Sequence, residues 1–181
     1  IIQRGGTMLK SARSEMFMKE EGRQQAYEMI VEEGIDGIVV IGGDGTFKGA
    51  RKFSLEQNLP VVGIPGTIDN DLYGTDYTIG YDTALNTIVE AVDKIRDTAS
   101  SHNRLFFIEV MGKDAGFLAL RSGIACGAEA ILIPEINRDT ASLREHLEAD
   151  NKRRKLSNII LVAEGDETGG AFNIAEQVKE E

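Results

Sequence analysis

The 181-residue chain carries 20 Lys and Arg against 30 Asp and Glu, a formal net charge of −10, with 41% hydrophobic and 28% charged residues. That balance suits a globular chain with its own core and excludes a disordered polymer; the excess of negative charge argues against non-specific attachment to nucleic acid or an anionic membrane. No apolar run approaches the roughly 20 residues that cross a bilayer.

The chain opens on IIQRGG without a Met and closes on KEE, which reads as a piece of a longer protein, and no signal peptide is expected at its start. Residues 19–33, KEEGRQQAYEMIVEE, place Ala26, Tyr27, Ile30 and Val31 at helical spacing, and Gly34 stops that helix. DGIVVIG (36–42) follows as a strand whose continuous apolar run suits burial on both faces. A helix over about 46–57 and a strand at 60–64 come next, and PGTIDNDLYGTD (65–76) is too rich in Gly, Asp and Pro to be anything but a polar loop. The longest helical pattern, 80–98, carries Ala84, Ile88, Ala91, Val92 and Ile95 on one stripe. Strands at 104–110, 130–134 and 158–164 then alternate with helices at about 114–126, 139–150 and from 171. Cys126, at the end of one of these helices, has no cysteine to pair with and reads as a small apolar residue in a reduced, cytoplasmic compartment. Strand and helix alternate throughout, so the fold class is α/β with a mainly parallel sheet. A boundary near Gly80 would divide it into two lobes, 1–80 and 81–181.

Ligands of such sheets gather beyond the carboxyl ends of the strands. Four loops there are unusual: GGDGT (42–46), GTIDND (66–71), MGKDAG (111–116) and EGDE (164–167). In GGDGT the glycines let backbone amides approach a phosphate, and the following helix adds partial positive charge. Asp44 in its midst fits a divalent cation that offsets phosphate charge; the same residues also suit a plain turn with Asp44 as helix cap. GTIDND sets Asp69 and Asp71 two apart, on one side of an extended stretch with Asn70 facing away. One is a candidate general base toward a hydroxyl while the other aids a metal or positions the first; an Asx-rich turn is the plain alternative. Thr67 is placed to donate to a transferring phosphoryl group. Lys113, Arg104 and Arg13 are candidate cations for developing negative charge, each of which also suits plain solvation, and Glu164 suits a sugar hydroxyl. His102 and His146 have no partners at metal-ligand spacing, so no zinc site is expected. No serine-hydrolase elbow or P-loop motif is present.

Together RGGTMLKSAR, IGGDGT, PGTIDND, GTDYTIG, SSHNR, EVMGK and the pair Ala163, Glu164 stand in one order at consistent spacing. The chain resembles the middle of a bacterial-type ATP-dependent 6-phosphofructokinase over essentially its whole length. That resemblance implies two Rossmann-like lobes, residues 1–80 binding ATP and 81–181 binding the sugar phosphate, and glycolytic transfer of the γ-phosphoryl of Mg-ATP to the 1-hydroxyl of fructose 6-phosphate. By resemblance Arg13 and Ser14 lie along ATP, Gly43, Asp44, Gly45 and Thr46 cradle its phosphates, Asp44 holds Mg, and Gly49 lets the helix approach. Asp69 is then the proton acceptor, Thr67 lies near the transferred group and Asp71 near the metal. Ile68, Arg104, Met111, Gly112, Lys113 and Glu164 line the sugar site, Arg104 being donated by a neighbouring subunit of a homotetramer. Arg96, Glu129, Arg153 and Lys155 fall where that family binds ADP or phosphoenolpyruvate as effector.

The sequence also departs from that pattern. Lys113 stands where the family usually has Arg, which keeps the charge and loses the planar fork. The family's first glycine-rich loop and its late Arg and His residues are not in this sequence, so the 181 residues alone are expected to show little or no turnover. The nearest alternative is a pyrophosphate-dependent phosphofructokinase, against which Gly45 and Gly66 speak, because pyrophosphate users tend to carry Asp and Lys there. The NAD kinase and diacylglycerol kinase group shares GGDGT and lacks PGTIDND with GTDYTIG. A non-catalytic nucleotide-binding subunit is a third reading, opposed by intact Asp44 and Asp69.

Overall fold

The computed structural model describes residues 6, 8, 10–102, 104–136, 140–152, 158–165 and 169–179. Backbone contacts divide the chain into two compact units, Ile1–Ile64 and Pro65–Glu181.

The first unit runs α1 (Glu15–Met18), α2 (Glu20–Glu32), β1 (Ile38–Gly42), α3 (Asp44–Gln57) and then β2 (Val61–Pro65), which pairs with β1. The one-turn helix α1 is an addition to the sequence reading; it forms because Ser14 Oγ accepts a hydrogen bond from Phe17 N at 3.2 Å, capping its amino end. Glu20 and Glu21 occupy the first turn of α2, where the helix dipole favours negative charge. Gly34, at φ +66°, ends α2 as expected, with Gly34 N donating to Val31 O and Ile35 N to Ile30 O. Phe53 of α3 is 1% exposed and its ring lies 5.3 Å from that of Phe17. The buried guanidinium of Arg23 joins α2 to α3 through Glu56, at 2.5 and 2.8 Å, and also donates to the carbonyls of Phe17 and Met18. One expectation for β1 fails. Val39 and Ile41 are 62% and 69% exposed, because α3 covers only the face that carries Val40.

The second unit holds a three-stranded parallel sheet in the order β3 (Leu105–Val110), β5 (Asn158–Ala163), β4 (Ala130–Leu132), with Phe107 opposite Ile160 and Ile131 opposite Leu161. Around it lie α4 (Tyr81–His102), α5 (Phe117–Cys126), α6 (Thr140–Lys152) and α7 (Gly170–Lys179). Every residue from Ile159 to Ala163 is fully buried. Alternation along the strand sorts them: Ile159, Leu161 and Ala163 join Val92, Leu118 and Ala119 on one face, Ile160 and Val162 join Leu143, Leu147 and Ile174 on the other. Each such Ile or Leu stabilises the fold by about 1.5–3 kcal/mol. The α/β class with parallel strands is therefore observed, with helices on both faces of the sheet.

The division between units falls after Ile64, ahead of Gly80. The physical reason is Ile68, which packs against the core of the second unit, with Gly80 close against it. Ile79 N donates to Pro65 O and Gly80 N to Thr67 O, closing the loop on itself. Among the described residues no helix is long and apolar enough to cross a membrane.

Candidate functional site

In the first unit the helix after GGDGT starts at Asp44 itself. Gly43, with φ −106° and ψ −161°, is the cap residue, and no side chain caps the helix. Asp44 is thus the first helical residue, and the cap is Gly43 where the plain-turn alternative had Asp44. Its Oδ2 accepts from Lys48 Nζ at 2.7 Å, one turn along the same face. Gly42 lies against the Thr46 side chain, so a Cβ there would clash, whereas a Cβ at Gly45 would meet nothing within 4 Å. Gly49 has ordinary room, its nearest neighbour being Phe17 Cε1 at 3.8 Å. Arg13 and Ser14 are both exposed, the Ser14 hydroxyl being engaged as the cap of α1.

The second unit gathers most of the remaining candidates. Asp69 N donates to Thr67 Oγ1 at 3.2 Å, a tight local turn at the front of the loop. Asn70 then takes the left-handed region at φ +57°, so the stretch is bent where an extended one was expected. Asn70 pays for that bend with its amide: Nδ2 donates to Asp76 O at 3.2 Å and Oδ1 accepts from Thr78 N at 2.8 Å. With Asn70 turned into the loop, Asp71 comes to lie with Oδ2 3.7 Å from Lys113 Nζ; its Oδ1 is buried without a partner. Burial, then the neighbouring Asp71 charge, raises the proton affinity of Asp69 above the usual carboxylate range; Glu164 adds to this, while the Thr67 hydrogen bond and Lys113 oppose it.

Met111, Gly112 and Lys113 follow the carboxyl end of β3, and Glu164 follows that of β5, its neighbour in the sheet. The pairing explains why they meet. Glu164 Oε1 accepts from Gly112 N at 3.2 Å and Lys113 N at 2.5 Å. Met111 is 62% exposed, and Ile68 turns its side chain into the core.

Other candidates lie elsewhere. Arg104 precedes β3, so the six-residue strand separates it from Lys113 by about 20 Å. Arg96 donates to the carbonyls of Cys126 and Gly127 at the end of α5, and Glu129 Oε2 accepts from Ile159 N at 2.7 Å. Both stand at the amino end of the sheet. Arg153 and Lys155 lie outside the described residues. Sequence reasoning did not single out Lys48 or Gly165. The i,i+4 spacing of Asp44 and Lys48 carried the first signal, and a glycine directly after a strand-ending carboxylate carried the second.

Parallel strands that lead through glycine- and aspartate-bearing loops into helices define an α/β protein, a class whose ligands gather at the carboxyl ends of the strands. The phosphofructokinase family pattern matches residues 1–181, and the chain belongs to that family. It is 61% identical over its whole length to "ATP-dependent 6-phosphofructokinase 2" of Bacteroides thetaiotaomicron and 58% identical over 180 residues to "ATP-dependent 6-phosphofructokinase 1" of Thermus thermophilus, covering 56% of each. The chain thus spans about half the length of the curated relatives it matches. Among solved structures, phosphofructokinase from Saccharomyces cerevisiae superposes with a TM-score of 0.87 at 38% identity, over 97% of this chain and 28% of that one. A pyrophosphate-dependent phosphofructokinase from Marinobacter aquaeolei shares the fold, with a TM-score of 0.81 at 24% identity over 97% of this chain and 47% of that one.

Proposed function

We propose that this sequence, in a chain of its relatives' length, works as an ATP-dependent 6-phosphofructokinase that phosphorylates the 1-hydroxyl of fructose 6-phosphate. The observation that carries the reading is the group Asp69, Asp71, Lys113 and Glu164: Lys113 and Glu164 follow the paired strands β3 and β5, and Asp71, in the loop with Asp69, lies 3.7 Å from Lys113. Asp69, with its raised proton affinity, takes the proton of the attacking hydroxyl. Lys113 meets negative charge developing on the transferred group, and Thr67 donates to it. Phosphoryl transfer asks a protein for this: position, neutralise, and accept one proton.

The first unit binds the donor. Gly43 to Thr46 offer amides and a helix amino end to phosphates, with Arg13 and Ser14 alongside. Asp44 would hold the Mg ion. A single carboxylate suits Mg, which keeps its waters and leans on substrate phosphates, and among the described residues no group of three or more His, Cys, Asp or Glu forms a dedicated cage. When bound, the ion supplies neutralisation of phosphate charge. Open space at Gly45 supports ATP over pyrophosphate as donor. Arg104, a strand's length from Lys113, supports service to a neighbouring subunit of a homotetramer, and Arg96 and Glu129 at the amino end of the sheet support an effector site for ADP or phosphoenolpyruvate. A cytoplasmic glycolytic role follows from the same reading.

The deciding experiment is a coupled assay on the relatives'-length chain with fructose 6-phosphate and either ATP or pyrophosphate. Turnover with ATP and none with pyrophosphate is expected; dependence on pyrophosphate alone would reverse the choice of donor, and nucleotide binding without turnover would favour a regulatory subunit. The 181-residue chain by itself is expected to show little or no turnover.

A further inference from the structure

The turn that presents Lys113 is held from outside. Lys113 sits at φ +56° and Gly112 at φ +153°, backbone that side-chain-bearing residues rarely adopt. Within the turn Ala115 N donates to Gly112 O at 3.0 Å. The amides of Gly112 and Lys113 are met by one oxygen more than fifty positions downstream, Glu164 Oε1, at 3.2 and 2.5 Å. A carboxylate accepting two amides makes charge-assisted bonds, stronger than neutral ones. Parallel pairing places that oxygen, since Glu164 N donates to Val110 O at 2.9 Å in continuation of the β3–β5 ladder. Gly165 completes the arrangement. A Cβ there would run into the carbonyl oxygen of Lys113 and lie 3.0 Å from Asp114 Cα, so the chain after Glu164 passes directly beneath the turn.

We propose that Glu164, with Gly165 beneath the turn, is a positioning residue for Lys113: its carboxylate fixes the left-handed backbone from which Lys113 Nζ reaches Asp71 at 3.7 Å. The role goes beyond contact with a sugar hydroxyl and rests on the reading of Lys113 as the cation of phosphoryl transfer. Because Oε1 is engaged by the turn, Oε2 is the oxygen left to meet a substrate hydroxyl. Two substitutions separate the roles. Glu164→Gln keeps an acceptor at Oε1 and loses the charge, while Glu164→Leu matches the size and removes the acceptor. Gly165→Ala leaves the carboxylate in place and pushes on Lys113 from below.

The test applies amide hydrogen exchange over residues 111–115, and steady-state kinetics, to the relatives'-length chain and these three variants. Exchange protection is expected to persist in Glu164→Gln and to fall in Glu164→Leu and Gly165→Ala. In kinetics, Glu164→Gln raises KM for fructose 6-phosphate and lowers kcat less than about fivefold, whereas Glu164→Leu and Gly165→Ala lower kcat by about 10²-fold, the cost of a misplaced catalytic group. ATP KM stays level in all three. Unchanged protection in Glu164→Leu, or equal loss of protection in Glu164→Gln and Glu164→Leu, would overturn the proposal. If Glu164→Leu does not fold, the contrast between Glu164→Gln and Gly165→Ala decides. A parent enzyme without turnover would remove the phosphofructokinase reading, and the exchange pattern would still decide whether Glu164 holds the turn.

Discussion

Asp71 lies 3.7 Å from the ammonium of Lys113 through one carboxylate oxygen and keeps the other buried without a partner. An orphaned buried oxygen is costly, which fits the proposed role of Asp71 beside a cation or a donor. Lys113 is 49% exposed, and its ammonium also lies 3.9 Å from Asp114 Oδ2. In the relatives'-length enzyme, Lys113→Met is expected to lower kcat by about 10²–10³-fold, the usual cost of losing one preformed electrostatic contact in the transition state. Lys113→Arg should keep most of the turnover, because the charge is retained and the planar fork can grip the transferred phosphoryl group through two bonds. Steady-state kinetics of both variants read this out, and full activity in Lys113→Met would remove Lys113 from the chemistry.

Asp69 titrates above the usual carboxylate range because burial and Asp71 disfavour its charge. Turnover should therefore decline on the acid side at a higher pH than an ordinary carboxylate would give. Asp69→Asn should abolish that limb and cost about 10²–10⁴-fold in kcat. Stability moves the other way. A carboxyl group whose folded pKa is raised contributes stability that is complete below its unfolded pKa and is lost as pH rises through the folded one. Asp69→Asn should therefore melt higher than the parent at neutral pH, with the difference closing below the ordinary carboxylate range. Calorimetry at both pH values checks the sign.

A side chain at Gly45 meets nothing of the protein within 4 Å. Gly45→Asp should thus fold with an unchanged melting temperature while raising KM for ATP at least about tenfold, the scale of one lost or repelled phosphate contact. A drop in melting temperature without a change in ATP KM would make Gly45 a folding residue only. Chelation of divalent cations with EDTA should stop turnover, and Asp44→Asn should raise the Mg concentration needed to restore it.

Arg23 is 3% exposed and donates two hydrogen bonds to Glu56 and one each to the carbonyls of Phe17 and Met18. Arg23→Met should lower the melting temperature at neutral pH by leaving those acceptors unmet. The Arg23 hydrogen bond holds Glu56 below its ordinary pKa. Stability from a lowered carboxylate is present above its unfolded pKa and is lost as pH falls through the folded one, so the gap between parent and variant should shrink on acidification. A gap independent of pH would show that the pair acts through packing alone.

Most of the architecture could be read from the order of residues, because hydrophobic period and glycine punctuation are local properties. The helix stop at Gly34, the strand at Ile38–Gly42 and the alternation that sorts Ile159 to Ala163 between two cores all follow from spacing along the chain. GGDGT and GTIDND stand out as candidate loops for the same reason, since glycine- and aspartate-rich motifs are short and local. What the sequence could not decide was everything that depends on a neighbour brought from afar. Whether a continuous apolar run is covered on one face or two depends on which layers pack on it, and Val39 and Ile41 show the one-sided outcome. The bend at Asn70 arises from bonds to Asp76 and Thr78, and it brings Asp71 to Lys113. Glu164 reaches the Gly112–Lys113 turn only because β5 pairs with β3 in one register. Residue types set what chemistry was available; strand pairing and loop closure decided which groups act on one another, because hydrogen bonds and charges work at distances that only the folded chain creates.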